Sequence, residues 1–129
     1  MSMRIVSTSS APRAVGPYSQ GVRVGDLLFT AGQLGLDPEK MALVDQGAAG
    51  QVRQVFENIR AIAEAEGGSL DRIVKLTVYL VDLDDWPAVN EVMEDVFDAP
   101  YPARSAVGVA ALPLGARVEA DAIVSLNPA

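Results

Sequence analysis

The feature that most limits what this chain can fold into is a change of period halfway along it. Between Ala48 and Glu66, the residues Val52, Val55, Phe56, Ile59, Ile62 and Ala63 recur at intervals of three and four. That spacing lays one apolar stripe along an α-helix. Gly67-Gly68 then stops the helix. From Ile73 to Leu80 the period falls to two, with Val74, Leu76, Val78 and Leu80 on one face of a strand. The helical period returns in Val89, Val92, Met93, Val96 and Phe97. Asp84 or Asp85 is placed to cap this second helix, and Pro87 suits its first turn. Stripes and strand faces of this kind bury each other, so two helices packed on one face of a sheet are expected.

The remaining segments supply the other strands. Arg4 to Ser7 reads as a short first strand, and Thr8 to Gln20 as a Ser/Pro/Gly-rich loop. Gly21–Val24 and Leu27–Gly32 flank Gly25-Asp26, a dipeptide suited to a tight hairpin turn because glycine takes positive φ at low cost. Gly35 to Gln46 reads as irregular, with Asp37-Pro38 as a turn signal. Asp98 to Arg104 is a Pro-rich loop, and Ser105–Ala111 and Val118–Leu126 read as the last two strands. The expected fold class is α+β, with all 129 residues in one domain. One problem remains. In the strand from Ser105, Ala106, Gly108 and Ala110 alternate with Ser105, Val107 and Val109, so neither face is charged. A sheet with two non-polar faces and helices for only one needs a second cover. Self-association supplies it economically, and loops are the alternative.

Composition narrows the chemistry. Half the residues are apolar and 21% are charged, which suits a packed globular domain. The chain has no cysteine and no histidine. A thiolate nucleophile, a Cys- or His-built zinc site and a Ser-His-Asp triad are therefore excluded, and no metal or other cofactor is expected. The formal charge of −7 repels phosphate backbones, so a nucleic-acid partner is not expected. No stretch approaches the roughly 20 apolar residues of a membrane span, and the start of the chain has no apolar leader. Neither a membrane partner nor a location other than the cytoplasm is expected.

A few side chains remain that can carry chemistry. In the last strand Glu119, Asp121 and Ile123 share the face opposite Val118, Ala120, Ala122 and Val124. Two acids on a strand otherwise fit for burial can hold water or take a proton. They fit equally well an edge strand kept soluble by charge. Arg104 follows Pro100-Tyr101-Pro102-Ala103, whose two prolines fix where its side chain starts. Its guanidinium can grip a carboxylate with two parallel hydrogen bonds, or it is a solvated surface arginine. Tyr18, on a Gly-Pro-Tyr-Ser segment, can wall a pocket or anchor its loop. Gly32 and Gln33 end a strand where a backbone can come close to a ligand, or where the strand simply turns. Asn90 lies early in the second helix, where exposure to solvent is the plainer reading. Lys75 points away from its strand's apolar face. It suits a solvated or ion-paired lysine better than a Schiff base.

Taken together, five pieces resemble the Rid family, also called YjgF, of reactive-intermediate (enamine/imine) deaminases. They are Gly16-Pro17-Tyr18-Ser19-Gln20, Leu28-Phe29-Thr30-Ala31-Gly32-Gln33, Val89-Asn90-Glu91, Pro102-Ala103-Arg104-Ser105, and Leu112-Pro113 with Val118-Glu119. They stand in the family's order and span nearly the whole chain. The resemblance implies a chorismate-mutase-like mixed sheet of about six strands with two helices on one face. It also implies a homotrimer with a barrel-like core and sites in clefts between subunits. The expected substrate is a 2-imino acid such as the tautomer of 2-aminoacrylate or 2-aminocrotonate, hydrolysed to a 2-keto acid and ammonia. Arg104 would bind the carboxylate and Glu119 would hold the attacking water. Tyr18, Ala31, Gly32, Asn90 and Ala106 would complete the pocket. The family often has Ser at the position of Ala31, and many bacterial members have Cys at that of Ala106. Those departures bear on substrate range.

Overall fold

The computed structural model describes residues 2–127. In chain order its elements are β1 (Met3–Val6), β2 (Gly21–Val24), β3 (Leu27–Thr30), β4 (Gln33–Leu34), β5 (Leu36–Asp37), β6 (Ala42–Leu43), α1 (Gly47–Glu64), β7 (Ile73–Leu80), α2 (Trp86–Val96), β8 (Ala103–Gly108) and β9 (Val118–Ser125). The main sheet runs β1-β2-β3-β9-β7-β8, and β4 also pairs with β9. All its pairs are antiparallel except β7 with β8, which is parallel and is joined through α2. The sheet is therefore mixed, and two helices lie on it, as the alternation of periods requires.

The core is built by the predicted stripes. Val52, Val55, Phe56, Ile59, Ile62 and Ala63 of α1 are fully buried, and Val89, Val92 and Met93 of α2 join them. They meet Leu28, Leu76, Val78, Leu80, Val118, Ala120, Ala122 and Val124 from the sheet. Phe56 and Phe97 pack edge to face with ring centroids 5.1 Å apart, which ties the two helices together. Removing a ring such as Phe56 costs about 3–5 kcal/mol in a core of this kind.

Four expectations are corrected. Val74 does not share the buried face of β7. A bulge between Ile73 and Lys75 puts one extra residue opposite β9, so Ile73 turns inward and Val74 is exposed. The aspartates before α2 do not cap it with their side chains. Asp85 stands at the cap position, but its carboxylate takes the Nε and Nη2 donors of Arg117 at 3.2 and 3.0 Å. Asp82 instead caps the short 3-10 turn ahead of the helix, accepting from the Asp84 N–H. The stretch read as irregular holds the small hairpin β5–β6, with Asp37 Oδ1 accepting from the Glu39 and Lys40 N–H groups. The Pro-rich loop and the strand after it also trade residues, since β8 already starts at Ala103 and ends at Gly108, not at Ser105 and Ala111. Gly25 takes φ 59° in the β2–β3 turn, as its hairpin position demands.

The sheet face away from the helices is open. Register sets it out in rows: Met3, Val24 and Leu27; then Ile5, Val22, Phe29, Ile123 and Lys75; then Asp121, Thr77 and Ser105; then Glu119, Tyr79 and Val107. Ile5 is 59% exposed and Phe29 is 42% exposed. One side of this face is thus apolar. The other is polar, with Lys75 donating to Ser105 Oγ at 2.7 Å.

Candidate active site

Glu119 owes its position to a break in the strand beside it. Phe29 faces Ile123 and Gln33 faces Ala120, so four steps along one strand answer three on the other. The extra residue bulges the chain at Ala31-Gly32, a device that re-aims side chains. The backbone groups displaced by the bulge find partners. The Ala122 N–H donates to Thr30 Oγ1 at 3.0 Å, and the Ala31 N–H donates to the Gln20 carbonyl at 2.8 Å. The Glu119 carboxylate then lies against Gly32. A Cβ added there would meet its Oε2 and stand 2.9 Å from its carboxyl carbon, so glycine is what lets the two come together.

A cavity of about 720 Å³ opens over this carboxylate, and Tyr18, Ala31, Gly32, Leu34, Met41 and Leu114 are among the residues lining it. The loop carrying Tyr18 is pinned by the buried Gln20. Its Oε1 accepts from the Thr8 N–H at 2.7 Å, and its Nε2 donates to the carbonyls of Thr8, Ala11 and Pro12. The Tyr18 hydroxyl accepts from the Val15 N–H at 3.3 Å, and the ring is half exposed at the cavity wall. The cavity floor is held by Asn58 of α1, fully buried, which donates to the carbonyls of Leu34 and Leu36.

Electrostatics single Glu119 out. Burial, and then the nearby charge of Asp121, push its carboxyl above the usual glutamate range. Asp121 is itself held by Tyr79, whose hydroxyl donates to Oδ2 at 3.1 Å. Burial and that bond raise the Tyr79 phenol in turn. A carboxyl tuned upward in this way is better matched to proton transfer near neutral pH.

Arg104 belongs to a second cavity, of about 310 Å³, lined by Asn90, Met93, Glu94, Tyr101, Pro102 and Arg104. Its Cα partner across the ladder is Leu76, whose side chain is buried under the helices, so Arg104 leaves the sheet on the helix side. There Nη1 donates to Asn90 Oδ1 at 2.7 Å and to the Met93 sulfur at 3.3 Å. The guanidinium carbon sits 4.7 Å from the centre of the Trp86 ring. Ala106, two residues on, shares that side of β8 and is exposed.

The sequence-predicted residues therefore fall into two groups. Tyr18, Ala31, Gly32 and Glu119 surround one cavity, and Arg104 and Asn90 line the other, with Ala106 beside them. Glu119 is on the open face and Arg104 on the helix face, so a single chain does not join them. Each group offers a different chemical capability, a guanidinium able to fork a carboxylate in one and a carboxylate able to accept a proton in the other. Among the described residues, no group of three His, Cys, Asp or Glu side chains is arranged to hold a metal ion. No helix among them is long and apolar enough to cross a membrane.

Sequence reasoning gave no role at the site to Trp86, Met93, Tyr79, Gln20 or Asn58, although Met93 stood in the apolar stripe and Gln20 in one of the family pieces. For Trp86 the signal was available, because residues 86, 90 and 93 of a helix share one face. For Gln20 and Asn58 it was not, because their bonds go to backbone groups distant in sequence.

Comparison with known proteins agrees with the pieces that carry the resemblance. The family model described as endoribonuclease L-PSP matches residues 8–126. The 2-iminobutanoate/2-iminopropanoate deaminase of Capra hircus is 46% identical over 125 residues, covering 97% of this chain and 91% of that protein. The crystal structure of RidA from the Antarctic bacterium Psychrobacter sp. PAMC 21119 superposes with a TM-score of 0.92 at 52% identity, covering 95% of this chain and 98% of that one. The structure of E. coli TdcF with bound serine does so with a TM-score of 0.88 at 39% identity, covering 95% and 98%. With this fold, these motifs and these relatives, the chain belongs to the Rid/YjgF family, whose matching model bears the endoribonuclease L-PSP description.

Proposed function

We propose that this protein hydrolyses reactive 2-imino acids, such as 2-iminopropanoate and 2-iminobutanoate, to 2-keto acids and ammonia. We further propose that it does so as a homotrimer whose sites lie between subunits. The carrying observation is the pair of half-sites, one with an oriented guanidinium and the other with a raised glutamate. A deaminase of this name is 46% identical to the chain, and a related structure holds serine, a small amino acid with the same carboxylate. The open, partly apolar sheet face and the unpaired edge of β8 support the assembly. A head-to-tail contact repeated around a three-fold axis would cover the face and bring Arg104 of one chain to Glu119 of the partner subunit. The barrel-like core, the single 1–129 domain and the cytoplasmic setting expected from the sequence belong to the same proposal.

In this reading Arg104 fixes the carboxylate and so the imine carbon. Glu119 accepts a proton from water as the water oxygen bonds to that carbon and the C=N electron pair moves to nitrogen, and Glu119 then passes that proton to the nitrogen to give the carbinolamine. The carbinolamine then collapses. Its hydroxyl proton passes by way of Glu119 to nitrogen, the C–N bond breaks, and ammonia leaves the 2-keto acid. The imine is already electrophilic, so positioning and one proton carrier suffice, with acid–base help worth about two to four decades. The ribonuclease wording of the family description is disfavoured by the formal charge of −7 and the lack of histidine. The alternative favoured by the serine-bound relative is a carboxylate-binding protein without turnover. The test generates 2-iminopropanoate in situ and follows its decay. Fast decay with wild type and none above background with Arg104→Ala is expected. Tight pyruvate binding with equal decay rates for both proteins would leave only the binding role.

A further inference from the structure

The side chains around Arg104 bear on which edge of it a ligand can use, an inference that rests on the reading of Arg104 as the carboxylate binder. A guanidinium has five N–H donors. Both of those on Nη1 are taken, one by Asn90 Oδ1 at 2.7 Å and one by the Met93 sulfur at 3.3 Å. What is left is the Nε–H and the two donors on Nη2, which include a parallel pair along one edge. Trp86 covers one face of the group, 4.7 Å from the guanidinium carbon, and is itself packed against the hydrophobic core. Trp86, Asn90 and Met93 follow one another on a single face of α2, so the helix holds three contacts to the guanidinium in fixed relation.

We infer that Trp86 is a positioning residue. With Asn90 and Met93 it holds the Arg104 guanidinium in one plane before a ligand arrives, so that the carboxylate docks side-on against Nε and Nη2. A free arginine gives up considerable rotamer freedom on binding, and a preset one has already lost it. Losing the ring therefore weakens binding of ground state and transition state alike, which raises KM and leaves kcat.

The chain has a single tryptophan, so its fluorescence reports on this one contact. The experiment titrates wild type, Trp86→Phe, Trp86→Leu and Arg104→Ala with pyruvate and with imine generated in situ, and checks each fold by thermal melting. Trp86→Leu is expected to raise KM about tenfold with kcat within about twofold, and Trp86→Phe to recover most of that loss. In wild type, pyruvate is expected to change Trp86 emission with a midpoint equal to its inhibition constant, and in Arg104→Ala to change nothing. A folded Trp86→Leu with unchanged KM, or wild-type emission blind to saturating pyruvate, overturns the inference even if Arg104→Ala is inactive. An Arg104→Ala variant with full activity defeats the underlying reading instead.

Discussion

Replacing Gly32 with alanine separates the positioning of Glu119 from the stability of the fold. The backbone at Gly32 does not have a positive φ, so alanine is conformationally permitted there. The added methyl would meet the Glu119 carboxylate, 2.9 Å from its carboxyl carbon, and something must move. The glutamate is the movable party, because its half-exposed side chain can rotate where the bulged backbone cannot. Leaving its rotamer costs about 0.5–1.5 kcal/mol. Against this, exchanging glycine for alanine stiffens the unfolded chain and returns about 0.4–1 kcal/mol. The two nearly cancel, so urea unfolding should place the variant within about 1 kcal/mol of wild type. Activity should not be spared. A displacement of about 1 Å in a group that orients water costs on the order of 100-fold, and kcat/KM for in-situ 2-iminopropanoate should fall by that much. Wild-type kcat/KM in a folded Gly32→Ala protein would refute the claim that the close approach of Gly32 and Glu119 sets the reacting geometry.

The pinned loop predicts a different pattern. Gln20→Leu removes four hydrogen bonds to the loop backbone and leaves the buried Ala11 and Pro12 carbonyls without them, which should cost about 3 kcal/mol in urea unfolding. A loss below about 1 kcal/mol would mean the loop is held by something else. The pH dependence follows from Glu119. Its carboxyl is raised by burial and by Asp121, so folding favours its protonated form. That contribution is full below the ordinary glutamate range and is lost as pH rises through the raised value. Glu119→Gln should therefore gain a few tenths of a kcal/mol near neutral pH and nothing in acid, read from melts at two pH values. In the proposed mechanism the carboxylate of Glu119 is the working form, so the acid limb of the rate profile should lie above the usual glutamate range and move down in Asp121→Asn; an unmoved limb would remove Asp121 from the account.

Much of the fold was legible because period alone decides which face is buried. The stripe from Val52 to Ala63 and the alternation from Val118 to Val124 needed nothing beyond the sequence. The error at Val74 has a local cause. A bulge flips one residue without changing composition, and an apolar residue before a charged Lys75 reads the same either way. The misjudged cap at Asp85 has a distant cause, since Arg117 claims that carboxylate from across the fold. Residue types pointed to Arg104 and Glu119, while the plain reading of each was a surface charge. Strand alternation also put Glu119 and Asp121 on one face correctly. The sequence did not show that Arg104 and Glu119 leave the sheet on opposite faces, because that depends on the parallel register of β8 with β7. Trp86 was overlooked although its spacing from Asn90 and Met93 placed it on their helix face.

The central claim is that Arg104 and Glu119 act together only across a boundary between copies. Mixing two inactive proteins tests it. Arg104→Ala and Glu119→Ala subunits are unfolded together in equal amounts, refolded, and assayed for 2-iminopropanoate hydrolysis. Random assembly around a three-fold axis gives about one site in four both an intact arginine and an intact glutamate, so about a quarter of wild-type activity should return. If the mixture stays as inactive as either variant alone while assembling normally, the shared site is wrong.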